Sequence, residues 1–202
     1  MILESSDNME EKEEMFLDEL NYIKDEEYQE ALLNIINMLP DYWFHEAASS
    51  TGKYHPEYAL GDGGLLRHSK AAIRIGFELL ENPVIGGKYT DREKDLMLMS
   101  LLVHDGLKLG IPQEKYTRFD HPILMGKFIV DNREEIGLSK SDAEFMNDVI
   151  KTHMGSWTKD YNGNEVLEPP KTKYQNFVHM CDFLASRKCI MIPFGEGNKI
   201  SA

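Results

Sequence analysis

The chain has 202 residues, 42% of them hydrophobic, which suits one domain with a sizeable core and excludes disordered, collagen-like and coiled-coil readings. Its formal net charge is -13, yet residues 1–30 hold 12 acids and 2 bases while the other 172 hold 23 and 20. The acidity is therefore mostly that of an N-terminal arm, and the nearly neutral body can still take a phosphate-bearing ligand.

Apolar runs such as Leu96 to Val103 are too short to cross a bilayer, and the start (Met1-Ile2-Leu3-Glu4-Ser5) lacks the pattern of a secretion signal. A cytoplasmic protein with no membrane contact is expected.

Residues 1–30 read as an acidic extension and 31–202 as the main domain. Within the arm, residues 4–20 can form a helix with Met15, Phe16, Leu17 and Leu20 as a small apolar face, read as a solvated arm that packs loosely or mediates self-association. A second helix runs from Asp25 to Met38 and stops before Pro40. After a loop from Ala48 to Gly64, Asp62 is placed to cap a helix from Leu65 to Leu80. Thr90 with Glu93 forms a capping box that opens a helix to His104. Pro122 suits the first turn of a helix ending near Asp131, and Ser141 with Glu144 caps another that ends at Gly155. Ser156 to Thr172 reads as a loop or short hairpin, and a last helix spans Lys173 to Cys189. No run alternates with period two, so the class is all-α. Cys181 and Cys189 fall on that last helix, where eight residues rise about 12 Å, too far for a disulfide. A reducing compartment fits.

The informative residues are polar groups on otherwise apolar helix faces. His68 lines up with Leu65 and Ala72, His104-Asp105 end a strongly apolar helix, His153 continues the stripe of Val149 and Ile150, and Asp182 shares a face with Val178, Cys181 and Ala185. Burying such groups is costly unless something pairs with them. One inward histidine alone is more often a hydrogen-bonded core residue than a ligand. The ordered set His68, His104, Asp105, His121, His153 and Asp182 is different, because carboxylates and imidazoles from separate helices are satisfied together by a metal ion.

That set resembles the HD-domain metal-dependent phosphohydrolases, named for their adjacent His-Asp pair. The matching motifs are Gly63-Gly64-Leu65-Leu66-Arg67-His68, Leu102-Val103-His104-Asp105-Gly106-Leu107-Lys108 and His179-Met180-Cys181-Asp182. They span roughly residues 40–190 of the chain, with Gly106-Leu107 in place of the family's common Ile-Gly. The resemblance implies a compact helical bundle in which His68, His104, Asp105 and Asp182 hold one ion. It further implies that His121 and His153 add a second, with Asp105 bridging both. The ions expected for such ligands are Mn, Fe, Ni, Co or Zn, with Mg also compatible.

By the same resemblance, Asp105 and Lys108 are the catalytic candidates, Lys108 neutralising a phosphate oxygen. The loop Phe44-His45-Glu46-Ala47-Ala48 with His55 is similar to the approach to the first ligand in HD-domain 3′–5′ exoribonucleases, and it makes His55 a substrate-binding candidate. Arg67 and Arg187 are candidate phosphate contacts, Trp157 and Tyr161 candidate base-stacking residues, and His45 and His179 are read as structural. The expected activity is hydrolysis of a phosphate ester of a small nucleotide, a mono- or triphosphate, by a metal-activated water. A 3′–5′ exonuclease acting on short single-stranded nucleic acid and a cyclic-nucleotide phosphodiesterase are alternatives on the same site. A non-catalytic metal-bearing sensor or interaction domain is the alternative from another class, and homo-oligomerisation stays open.

Overall fold

The computed structural model describes residues 13–49, 52–53 and 55–201. Its helices in chain order are α1 (Leu17–Leu20), α2 (Glu26–Met38), α3 (Tyr42–His45), α4 (Gly64–Glu81), α5 (Pro83–Gly86), α6 (Asp91–Val103), α7 (His121–Asp131), α8 (Arg133–Ile136), α9 (Lys140–Ile150) and α10 (Lys173–Ala185), with two short 3-10 turns. Among the described residues no strand forms, only isolated bridges such as Lys159 with Glu165, so the class is all-α. None of these helices is long and apolar enough to cross a membrane.

α6 is the axis of the fold. Every residue from Asp95 to Val103 is buried, so this helix is covered on all sides rather than along one stripe. α4, α9 and α10 pack around it, α7 packs on α9, and α2 lies against both α6 and α8. The helix starts at the expected capping box, with Thr90 and Glu93 each accepting the other's backbone N–H. A second capping box, Thr172 with Gln175, opens α10.

Several boundaries differ from the sequence reading. Asp62 does not cap α4. Gly63 takes that place at φ 69°, and the Gly63 and Leu65 N–H groups donate to the carbonyls of His45 and Glu46. Gly64 follows because a Cβ there would lie 2.4 Å from the Ala59 carbonyl oxygen. Ser139, with extended backbone, caps α9 in place of Ser141, and that helix ends at Ile150 before a run of turns to Gly155. α10 ends at Ala185, so the two cysteines do not share a helix; Cys181 is buried and Cys189 exposed, both as free thiols.

The described part of the arm is built into the core. Phe16, Leu20 and Ile23 are buried, and Phe16 stacks on Trp43 with ring centroids 5.8 Å apart. Glu19, fully buried, meets Lys70 of α4 at 3.0 Å, and Lys70 also donates to the Met15 carbonyl. Leu17 alone of the expected apolar face is largely exposed, and residues 4–12 of the expected helix lie outside the described residues.

Candidate metal centre

His68 stands in the first turns of α4, His104-Asp105 directly after α6, His121 at the first position of α7, His153 three residues past α9, and Asp182 near the end of α10. The loops between these helices bring their termini to one end of the bundle, as the distances between the side chains show. All six residues come together there.

The cluster has two halves joined by Asp105. In the first, His68 Nε2 lies 3.0 Å from Asp182 Oδ1 and 3.9 Å from Asp105 Oδ2, while His104 Nε2 lies 3.4 and 3.6 Å from the same two oxygens. In the second, His121 Nε2 and His153 Nε2 are 2.9 and 3.6 Å from Asp105 Oδ1 and 3.2 Å from each other. One carboxylate thus presents one oxygen to each half.

Backbone carbonyls set the orientation of three rings in the same way. His104 Nδ1 is 2.7 Å from the Leu101 oxygen, His121 Nδ1 2.6 Å from that of Arg118, and His153 Nδ1 2.8 Å from that of Ile150, each three residues earlier. A carbonyl only accepts, so Nδ1 carries a hydrogen, and in the neutral form of each ring Nε2 is left with a lone pair aimed into the cluster. Leu101 and Ile150 lie in last helical turns, whose carbonyls lack intrahelical partners, so these two histidines also cap their own helices.

The donor set fits a metal. His104 Nε2 and Asp105 Oδ1 are buried without a hydrogen-bond partner, as is His68 Nδ1. The ligand atoms of His68, His104 and Asp182, and those of His104, Asp105 and His153, lie within 4.8 Å of one another. Several acceptors therefore converge at short range in a largely buried site that Asp182 leaves partly open, an arrangement that a cation relieves.

Electrostatics agree. Burial opposes ionisation of Asp105 and Asp182, yet Lys108 and His104 beside the first, and His104 and His68 beside the second, hold both carboxyls well below the usual range. Burial also works against the His104 cation, but the two aspartates outweigh it and raise that imidazole to about 8. His153 is lowered to about 4, by burial first and by His104 and His121 after it.

Around the cluster, Lys108 Nζ donates to Asp105 Oδ2 at 2.5 Å. His55 sets its ring edge-on against His68, centroids 5.3 Å apart, with Nδ1 buried and unpartnered; burial, then His68 and Lys108, lower it to about 3. The other candidates are engaged elsewhere. Arg67 donates to the carbonyls of Tyr58 and Leu60 and to the Asn198 side chain, which makes it a staple between the 55–63 loop and residue 198. Arg187 lies over the Phe183 ring and bonds Phe183 and Ser186 of its own helix end. Trp157 is exposed, and Tyr161, more exposed still, touches the Phe119 ring. His45 faces Asp62 at the surface.

The supporting role of backbone carbonyls three residues before His104, His121 and His153 was not read from the sequence, although the three-residue spacing back from each histidine is visible there. No family model, no curated protein and no solved structure matches this chain.

Proposed function

We propose that the protein is a metal-dependent phosphohydrolase that acts on a phosphate ester of a nucleotide, a mono- or triphosphate. One observation carries the reading: imidazole lone pairs with preset orientation and two carboxylates kept ionised converge from five helix ends, with Asp105 shared between the halves. The ordered resemblance of the same residues to the HD-domain phosphohydrolases supports it.

His68, His104, Asp182 and Asp105 Oδ2 would hold one ion, and His121, His153 and Asp105 Oδ1 a second, with Mn, Fe, Co, Ni or Zn suiting the mixed donors. When bound, such ions polarise phosphate oxygens and acidify coordinated water. The chain supplies the rest. Asp105 fixes the spacing of the two halves, and Lys108, anchored on Asp105, offers a cation to a non-bridging phosphate oxygen. His55 presents its unpartnered nitrogen beside the first half. Burial of the ligands keeps bulk water from screening these charges.

The test is product chromatography after incubation of the Mn²⁺-supplied protein with nucleoside mono- and triphosphates, cyclic nucleotides and a short labelled oligonucleotide, with Asp105→Ala as the blank. Release of nucleoside or phosphate from the mono- or triphosphates, absent in the blank, is expected. Turnover confined to the cyclic nucleotides or the oligonucleotide would transfer the site to phosphodiester substrates. Retained metal without turnover would overturn the enzyme reading in favour of a metal-bearing sensor.

A further inference from the structure

His179, on α10 one turn before Asp182, is absent from the ligand set. Its Nδ1 nevertheless lies 2.7 Å from the carbonyl oxygen of His153, to which it must donate. The ring sits over Gly155: a Cβ built on that glycine would fall 2.2 Å from His179 Cε1, and Gly155 itself stands at φ 66°. Gly155 is therefore required twice, once for the turn and once for close approach of the imidazole.

His153 is held from two directions as a result. The Ile150 carbonyl orients its ring, and His179 fixes its backbone. The two holds come from different helices, α9 and α10. The first half of the cluster takes Asp182 from α10, while the second half takes nothing from that helix directly. Gln175 of α10 donates to Asp148 of α9 further back, and His179 is the α10 residue whose hydrogen bond lands on a ligand of the second half.

We infer that His179 is a positioning residue for the second metal position: its hydrogen bond to the His153 carbonyl ties that ligand to the helix that carries Asp182. The inference rests on the two-ion reading above. Hydrogen bonds that orient metal ligands typically change affinity by about 10–100-fold when removed, and here the loss should fall on one ion of the two. The ligands of the first half keep their own contacts, so its affinity should stay.

The experiment titrates the metal-free full chain with Co²⁺, followed by visible absorption and by equilibrium dialysis, with circular dichroism to verify folding. His179→Phe keeps a ring over Gly155 and removes the donor. His179→Asn places an amide N–H near the former Nδ1. The expected result is that His179→Phe weakens one of two binding events by about 10–100-fold and alters the absorption of that ion alone, whereas His179→Asn restores both. Two ions bound by His179→Phe with wild-type affinities and spectrum would overturn the inference while leaving the proposed function intact. Equal loss in the Phe and Asn variants would also overturn it, since the donor would then not matter. A wild-type chain that binds fewer than two ions would overturn the two-ion reading itself. If His179→Phe fails to fold, His179→Leu, which also lacks the donor, takes its place beside His179→Asn: a loss of about 10-fold or more at one ion in Leu but not in Asn supports the donor role, and equal affinities in the two variants reject it.

Discussion

His121 and His153 face each other through their Nε2 atoms at 3.2 Å, each with its Nδ1–H already donated to a backbone carbonyl. Two neutral imidazoles so arranged point lone pair at lone pair. That contact is unfavourable unless a cation or a proton stands between them, so if the second half holds the proposed ion, its loss should be felt by the whole fold.

Chelation should therefore lower thermal stability. With free ion at about 100 times its dissociation constant, binding adds about 2.7 kcal/mol, which for a domain of this size raises the melting temperature by about 5–10 °C. Scanning calorimetry with and without a chelator measures this. His121→Ala and His153→Ala should each retain about one ion by elemental analysis, because three donors are reduced to two on that side. Two ions retained in both variants would reject the two-ion arrangement.

Lys108→Ala should keep the metal content and slow turnover by about 10²-fold or more, the usual effect of removing one group that stabilises transition-state charge. Asp105→Ala should lose both metal and activity, since one carboxylate serves both halves. Comparing metal content of the two variants separates a charge-stabilising role from a ligand role.

The capping box of the central helix predicts a pH effect away from the cluster. Burial opposes ionisation of Glu93, but the Tyr174 hydroxyl and the Thr90 N–H that it accepts outweigh this and hold its carboxyl below the ordinary 4.5. A depressed folded value contributes stability that is present above pH 4.5 and is lost as pH falls through the folded value. Because Glu93 is near the surface, the effect should stay below about 1 kcal/mol. Urea midpoints at pH 6 and pH 3.5 should fall less in Glu93→Gln than in wild type; an equal fall would assign the acid sensitivity to other carboxyls.

Glu19 and Lys70 give the largest predicted stability change. Burial raises the Glu19 carboxyl and lowers the Lys70 ammonium, each only partly opposed by the other's charge. Lys70→Ala leaves the carboxyl buried and unpaired, at a cost of about 3–5 kcal/mol. Lys70→Met combined with Glu19→Gln should recover most of it. Urea unfolding of the single and double variants checks both. A Lys70→Ala variant near wild type would mean that the arm is not clamped to α4 in solution.

The cluster was readable because burying His68, His104, Asp105, His153 or Asp182 on an apolar face needs a compensating partner, and that need is visible in one dimension. The all-α class followed from helical periodicity and capping boxes. The partners of Arg67, Tyr58, Leu60 and Asn198, are not visible in the sequence because they come from segments whose meeting is decided by tertiary structure. The burial of Phe16 and Glu19 was hidden by the acidic composition around them: one clamp at Lys70 and one stack on Trp43 place a highly charged segment in the core. Ser139 and Ser141 both precede an acid by three residues, and it is Ser139 that has the extended backbone and accepts the Asp142 N–H.

Ligands drawn from the ends of α4, α6, α7, α9 and α10 have a mechanical consequence. Each helix end that frays must withdraw a donor from the same small volume, so an ion held there makes local openings that are otherwise independent depend on one another. The metal-loaded chain should exchange its amide hydrogens at those five ends as a single unit. The metal-free chain should open them one at a time, beginning at the turns that carry His121 and His153.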